Sequence, residues 1–519
     1  VQLYLNRIAA FEDGGLFLNS ITTVNPRALD IAAELDRERR ERGPRSPLHG
    51  IPILLKDNID TVDLATSNGS VILKNAIPPD DAFITDALRD AGAIILGKAA
   101  MGEFAGGSYN TIDGQTRNPY NLKRNTGGSS SGSGAAVAAN LTVLAIGTDT
   151  STSVRGPASF NGIVGLRPTT GLISRDGIAP KNLTFDTAGP MARTVTDMAY
   201  LLNVIAGVDP ADPLTLNSQG KIPADYTDFL VRGSLQGARI GVARDFFGGN
   251  LEIDALAEAA IDKLEELGAV IVDPVRFPTD YFNFYVRNPN NIRRIADYRF
   301  KEDWEAYLAT FGPNVPKTVA EFITIYETVV NSSSLPVENS VLDLLRRSLT
   351  TSTSDPAYID LISNLLPEAT RIQLALFDAF NLDAMVFPYH NNFAPRINNP
   401  VFSESDPTFQ PGPNIPSPAT IAGYASEGFP GIVVPMGFGS AGLPTAISFF
   451  GRPYDEGKLI SYAYDYEQAT LLRRPSPLTP PLPGETISVP EPGFVLGFGT
   501  LALAGFRLKR KRADSHRVR

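Results

Sequence analysis

LEIDALAEAAIDKLEELG at 251–268 runs straight into AVIV at 269–272, a helical pattern feeding a short apolar strand. The same order appears at 81–96, where DAFITDALRDAG leads into AIIL. ARIGVA at 238–243 and AMVFP at 384–388 read as further short buried strands. Helices alternating with such runs predict an α/β fold layered around a buried sheet. From about 288 to 380 the pattern is mostly helical and richer in charge, which predicts an insertion covering the sheet and shaping a substrate pocket. No internal repeat is visible.

Composition narrows the chemistry. The 519 residues are 43% apolar and 20% charged, ordinary for a globular protein with a large core. A formal net charge of −10 argues against broad nucleic-acid binding, which draws on clustered Lys and Arg. Cysteine is absent, so disulfides, thiol nucleophiles and cysteine-ligated metals are excluded. The three histidines, His49, His390 and His516, are too far apart in sequence to form a helical metal pair, and neither a metal nor a cofactor is expected. The opening VQLYLNRIAAFE reads as the middle of an amphipathic helix with no capping residue before it, so further residues are expected to precede Val1.

Three segments carry chemistry. GGSSSGSG at 127–134 would alone read as a flexible linker, but it runs directly into AAVAAN and the apolar strand LTVLAIG. Glycines there let backbone approach closely, and the serines offer hydroxyls. GTDTSTSVRGPA at 147–158 follows a strand expected to end at Gly147, and successive N–H groups in such a turn can bind an oxyanion. GIPILLKD at 50–57 closes an apolar strand with Lys56, ordinarily a surface residue, yet burial would lower its pKa and make the amine a proton acceptor.

Together these segments resemble the amidase signature family over nearly the whole chain to about residue 470. LGKAAMGEFA (96–105), GLRPTTGLIS (165–174), DTAGPMARTVTDMA (186–199) and LPTAISFFGRPYDEGKL (443–459) add to the likeness. The resemblance implies the amidase-signature fold, a large mixed central sheet flanked by helices on both faces. It implies hydrolysis of a carbon–nitrogen amide bond through a Ser–Ser–Lys triad and an acyl-enzyme, with a small-molecule amide as substrate. Lys56 matches the family's general base, Ser129 its bridging serine and Ser153 its nucleophile. Backbone N–H groups of Thr150, Ser151, Thr152 and Ser153 match the oxyanion hole, and Ser130, Asp149 and Arg155 match supporting positions. The 24-residue step from Ser129 to Ser153 favours Ser129 over Ser130 or Ser131. His49, in a PLHGIP segment, is read as structural, and no G-x-S-x-G elbow supporting an α/β-hydrolase is read around any serine. One departure stands out: Ser151-Thr152 replaces the family's usual Gly-Gly, and a β-branched Thr152 would be strained if that position needs φ > 0. The alternatives are the amidase component of a tRNA-dependent amidotransferase, which shares the fold, and a non-catalytic surface protein on the same scaffold.

Composition changes after Arg474. Seven prolines lie from Pro475 to Pro492, predicting an extended spacer over 475–492 after a catalytic domain at 1–474. GFVLGFGTLALAGF follows at 493–506, and as a helix its 14 residues would span only about 21 Å. Residues 507–519 hold seven Lys/Arg against one acidic residue, a net +6 in a chain of −10, so the body carries −16. Val489-Pro490-Glu491-Pro492, the apolar run and the basic end resemble the PEP-CTERM sorting signal of exported bacterial proteins. That resemblance implies membrane contact through 493–519, recognition and removal by an exosortase-type enzyme, and an exported or cell-surface location.

Overall fold

Short apolar runs assemble here into one sheet of eleven strands. In chain order they are β1 (Ile21–Val24), β2 (Pro52–Lys56), β3 (Ile94–Ala99), β4 (Leu144–Asp149), β5 (Val164–Arg167) and β6 (Thr187–Ala192). The rest are β7 (Arg239–Ala243), β8 (Val270–Val275), β9 (Ala384–Pro388), β10 (Gly431–Phe438) and β11 (Pro444–Phe450). The spatial order is β1-β3-β2-β4-β6-β5-β10-β11-β9-β7-β8. This computed structural model describes residues 1–13, 15–397 and 428–485, so the expected sorting signal lies outside the described residues. The chain divides into two units, Val1–Pro480 and Pro481–Arg519, and all that follows concerns the first.

The sheet is mixed. β2 runs parallel to both β3 and β4, and β7 runs parallel to β8 and β9. The pairs β1/β3, β4/β6, β6/β5, β5/β10, β10/β11 and β11/β9 are antiparallel. Successive residues of a strand face opposite sides of a sheet. Every residue of β2, β3, β4, β5, β6, β9 and β11 is buried, so both faces of the sheet are covered there. This explains why those strands read as near-continuous apolar runs rather than as alternating ones. β4 runs two residues past Gly147, to Asp149, because Thr148 and Asp149 find polar partners inside the fold.

Because β2 and β4 are parallel neighbours, with Leu55 opposite Ile146, their C-terminal ends lie at the same edge of the sheet. In open α/β sheets that edge is where binding crevices form. The helix Ser131–Ala138 is buried at every position, and the helix Arg155–Phe160 follows β4.

Between β8 and β9 the described chain contributes helices and no strand, including Phe300–Ala309, Val319–Thr328 and Asn339–Ser348. Val319–Thr328 begins with a capping box, in which Thr318 accepts from the Glu321 N–H and Glu321 accepts from the Thr318 N–H. These helices enclose an apolar core of their own. Phe104, from the loop after β3, meets Phe300, Trp304, Phe322 and Tyr326 edge-on at 5.0 to 6.3 Å between ring centroids. Edge-to-face packing of this kind adds to plain area burial.

Trp304 is fully buried in that cluster, so truncation leaves a large void. Trp304→Ala is expected to destabilise the helical region by about 3–5 kcal/mol. Denaturant titration followed by circular dichroism checks this.

Candidate active site

Lys56 ends β2 with no exposed surface, and its amine has three contacts. Nζ lies 2.8 Å from Ser129 Oγ, 2.8 Å from Thr148 Oγ1 and 3.3 Å from the Thr148 carbonyl oxygen. A neutral amine has two N–H donors and one lone pair. Two hydrogens directed at the Thr148 oxygens would leave the lone pair facing the Ser129 hydroxyl. Burial pushes the Lys56 amine down to about 7, against the pull of Asp149 and Asp186. Desolvation wins because neither carboxylate is left to pair with the amine.

Asp57, next in sequence, cannot serve as counter-ion because alternation sends it to the other face. There it accepts from Ser67 and lies 3.7 Å from buried Lys98. Asp149 is taken by two arginines: Arg167 Nη1 reaches Oδ1 at 3.0 Å and Arg155 Nε reaches Oδ2 at 3.4 Å. Burial alone would raise the Asp149 pKa; the two guanidiniums and the Val154 N–H hold it below the usual carboxylate value. Asp186 accepts from Thr150 Oγ1 at 2.6 Å and from the Lys181 and Asn182 N–H groups.

The loop after β4 turns its carbonyls inward. The Ser151 carbonyl accepts from Arg155 Nη2 at 2.5 Å, the Thr152 carbonyl from the Gly156 N–H at 2.7 Å, and the Ser153 carbonyl from the Ser130 N–H at 3.2 Å. None of the backbone N–H groups from Thr150 to Ser153 has an acceptor among the described residues. A row of unpaired N–H donors is suited to a developing oxyanion. Neither Ser151 nor Thr152 has positive φ, so the strain conditional on a left-handed conformation does not arise.

The structure thus brings Lys56 and Ser129 into contact and sets Ser130, Asp149 and Arg155 around the loop. Ser130 Oγ donates to the Thr148 carbonyl at 3.1 Å and accepts the Thr148 N–H at 3.2 Å. A Cβ on Gly147 would come 2.6 Å from Ser130 Oγ, which explains the glycine. The Ser129–Ser153 link is not closed: the Ser153 hydroxyl has no hydrogen-bond partner among the described residues, although only 7% of the residue is exposed. Hydrogen bonds that serve catalysis often tighten only when substrate binds.

The sequence does contain one G-x-S-x-G pattern, in the Gly-Ser segment, but its central serine is not free to act as an elbow nucleophile. Gly128-Ser129-Ser130-Ser131-Gly132 spells it, but the Ser130 hydroxyl is tied to the Thr148 backbone at the start of the helix Ser131–Ala138. His49 has both ring nitrogens committed to backbone, Nε2 to the Leu35 carbonyl at 2.9 Å and Nδ1 to the Arg45 N–H at 3.2 Å. His390 stacks on Phe160 at 3.8 Å, and burial pushes it down to about 3. Among the described residues no group of His, Asp and Glu is arranged to hold a metal ion.

Sequence reading missed Thr148, Asp186, Arg167 and Tyr389. The first three stood inside quoted segments without a role. Tyr389, whose OH lies 2.8 Å from Thr152 Oγ1, gave no local signal.

A family profile described as Amidase matches residues 1–460. The native peptide amidase from Stenotrophomonas maltophilia superposes with a TM-score of 0.81 at 40% identity, covering 92% of this chain and 94% of that one. A probable amidase of Arabidopsis thaliana is 33% identical over 488 residues, 92% of this chain and 87% of the relative. A glutamyl-tRNA(Gln) amidotransferase subunit of Thermoanaerobacter pseudethanolicus is 34% identical over 466 residues, 86% of this chain and 88% of the relative.

An amine acts as a base only when unprotonated, and the lowered value for Lys56 sets the sign of any pH dependence it confers. Labelling of Ser153 by a fluorophosphonate is expected to rise with pH through about 7 and then level. Labelling rates measured across the neutral range, with Lys56→Ala as the flat reference, check it.

Proposed function

The chain belongs to the amidase family and hydrolyses amide bonds, and on that premise we propose that Ser153 is the nucleophile, Ser129 the bridging acid–base and Lys56 the base. The observation carrying this reading is the buried Lys56 amine against the Ser129 hydroxyl at 2.8 Å, with its proton affinity lowered to about 7. Neutral Lys56 takes the Ser129 proton while Ser129 takes that of Ser153. Ser153 Oγ then bonds to the amide carbon, and the charge that develops on its oxygen is met by N–H groups of the 150–153 loop. Ser129 passes its proton to the departing nitrogen, which leaves as ammonia or an amine, and takes one back from Lys56. Water repeats the sequence on the acyl-enzyme, releasing the carboxylic acid and restoring Ser153.

The substrate class proposed is the terminal carboxamide of a peptide, supported by 40% identity to a peptide amidase over nearly the full length of both chains. A second reading, ammonia release from glutamine for a partner protein, is supported by 34% identity to a glutamyl-tRNA(Gln) amidotransferase component. For the chain end the proposed organisation is a catalytic domain at 1–474 with an insertion near 288–380, a spacer at 475–492 and a PEP-CTERM-like signal at 493–519. It rests on the order of Pro-rich stretch, apolar run and basic cluster. The tail would meet the membrane and an exosortase-type enzyme before removal, leaving an exported or surface protein.

Peptide amides, aryl amides and glutamine, offered to the wild type and to Ser153→Ala and Lys56→Ala, test the reaction. Turnover of peptide amides with a loss of about 10²–10⁴-fold in Lys56→Ala is expected, and a larger loss in Ser153→Ala. Preference for glutamine, appearing only with partner proteins present, would favour the second reading. Mass spectrometry of the mature protein is expected to find the chain ending before residue 507; an intact basic end would refute removal.

A further inference from the structure

Ser151 and Thr152, the two positions at which the loop departs from the family's glycines, are held from outside the loop. Arg155 Nη2 donates to the Ser151 carbonyl at 2.5 Å. The Thr152 hydroxyl lies 2.8 Å from the hydroxyl of Tyr389, a buried residue just beyond β9 on the far half of the sheet. The Arg155 guanidinium lies 5.4 Å from the centre of the Tyr389 ring, so one aromatic residue contacts both anchors. Room for the Thr152 hydroxyl comes from Gly156, where a Cβ would approach it to 2.9 Å. The Gly156 N–H in turn holds the Thr152 carbonyl at 2.7 Å. Of the polar groups on Thr152, the carbonyl and hydroxyl are therefore fixed, and only the N–H is left unpaired among the described residues.

A glycine pair lets backbone turn freely, and a donor that can turn away stabilises an oxyanion less than one held in place. We propose that Thr152 and Tyr389 are a positioning pair, joined by their hydroxyls, that fixes the direction of the N–H groups of residues 151–153 toward the reacting carbonyl oxygen. The pair does the work of restraint that a glycine-built loop must obtain elsewhere. Tyr389 touches no reacting atom and acts through Thr152. Burial pushes its phenol up to about 12, so the hydroxyl keeps its proton at neutral pH. The inference rests on the reading of the 150–153 N–H groups as the oxyanion site.

Tyr389→Phe removes the hydroxyl and keeps the ring beside Arg155; Thr152→Val removes the other hydroxyl with little change of shape. Each is expected to lower kcat on a peptide amide by about 10–30-fold, less than the loss on deleting a donor outright, with KM within about threefold. Affinity for a boronic acid, which becomes a tetrahedral anion on the serine, should fall in parallel. The double variant should be no worse than either single one, since the two hydroxyls make one contact. Thr152→Ser, which restores a hydroxyl, should recover most of the loss seen in Thr152→Val. Losses that multiply in the double variant, or a Tyr389→Phe enzyme with wild-type kcat, would overturn the pair. Ser153→Ala separates this from failure of the parent reading: turnover surviving there removes Ser153 as nucleophile and with it the oxyanion reading of the adjoining N–H groups, whereas turnover lost there and unchanged in Tyr389→Phe removes only the pair.

Discussion

A primary amine stays charged at neutral pH unless it is kept both out of water and away from a counter-ion, and the fold meets both conditions at Lys56. Placing the residue at the end of a fully buried strand meets the first. The second is met by occupying every nearby carboxylate. Asp57 faces the other side of the sheet toward Lys98 and Ser67, Asp149 is clasped by Arg155 and Arg167, and Asp186 is bound by Thr150 and backbone N–H groups. A single one of these carboxylates turned toward Nζ would keep the proton on the amine. The buried ion pairs therefore matter less for stability, where desolvation cancels much of their attraction, than for what they deny to Lys56.

Topology brings the parts together. Parallel pairing of β2 with β4 sets Lys56 at the same edge as the loop 150–153, across about one strand spacing. Ser129 reaches that edge on a segment so close-packed that a Cβ on Gly128 would overlap the Gly107 carbonyl. The far half of the sheet contributes Tyr389, so the loop is braced between strands that are remote in sequence.

The alternation of helix and apolar strand was legible where burial on both faces leaves a strand largely apolar, as in β2 and β9, whereas β8, the AVIV run, is an edge strand buried only at Val275. Lys56, Ser129 and Ser153 were singled out by their likeness to a family and by the 24-residue step between the serines. The end of β4 was misjudged because Thr148 and Asp149 look unlike strand residues until their partners are seen. Those partners, Lys56 and Arg167, lie 92 positions before Thr148 and 18 after Asp149. Tyr389 lies 236 positions after Ser153 and could not be found by local pattern at all. Nor could the backbone angles of Ser151 and Thr152, which depend on what holds the loop rather than on its composition.

Gly102 and Phe104 lie two residues apart after β3 and face separate tasks. The Gly102 N–H holds the Ser129 carbonyl at 3.0 Å, while Phe104 anchors the aromatic core of the helical region. Among the described residues, none from 290 to 380 bonds to Lys56, Ser129 or Ser153. The Lys56–Ser129 contact thus belongs to the sheet and its loops, while the helical region meets that body through Phe104 and through the Tyr326 and Tyr307 hydroxyls, which donate to Glu103 and Asp60. The helical region can therefore be repacked around its aromatic core without disturbing a bond to Lys56 or Ser129, so its stability and the geometry at the strand ends are separable quantities.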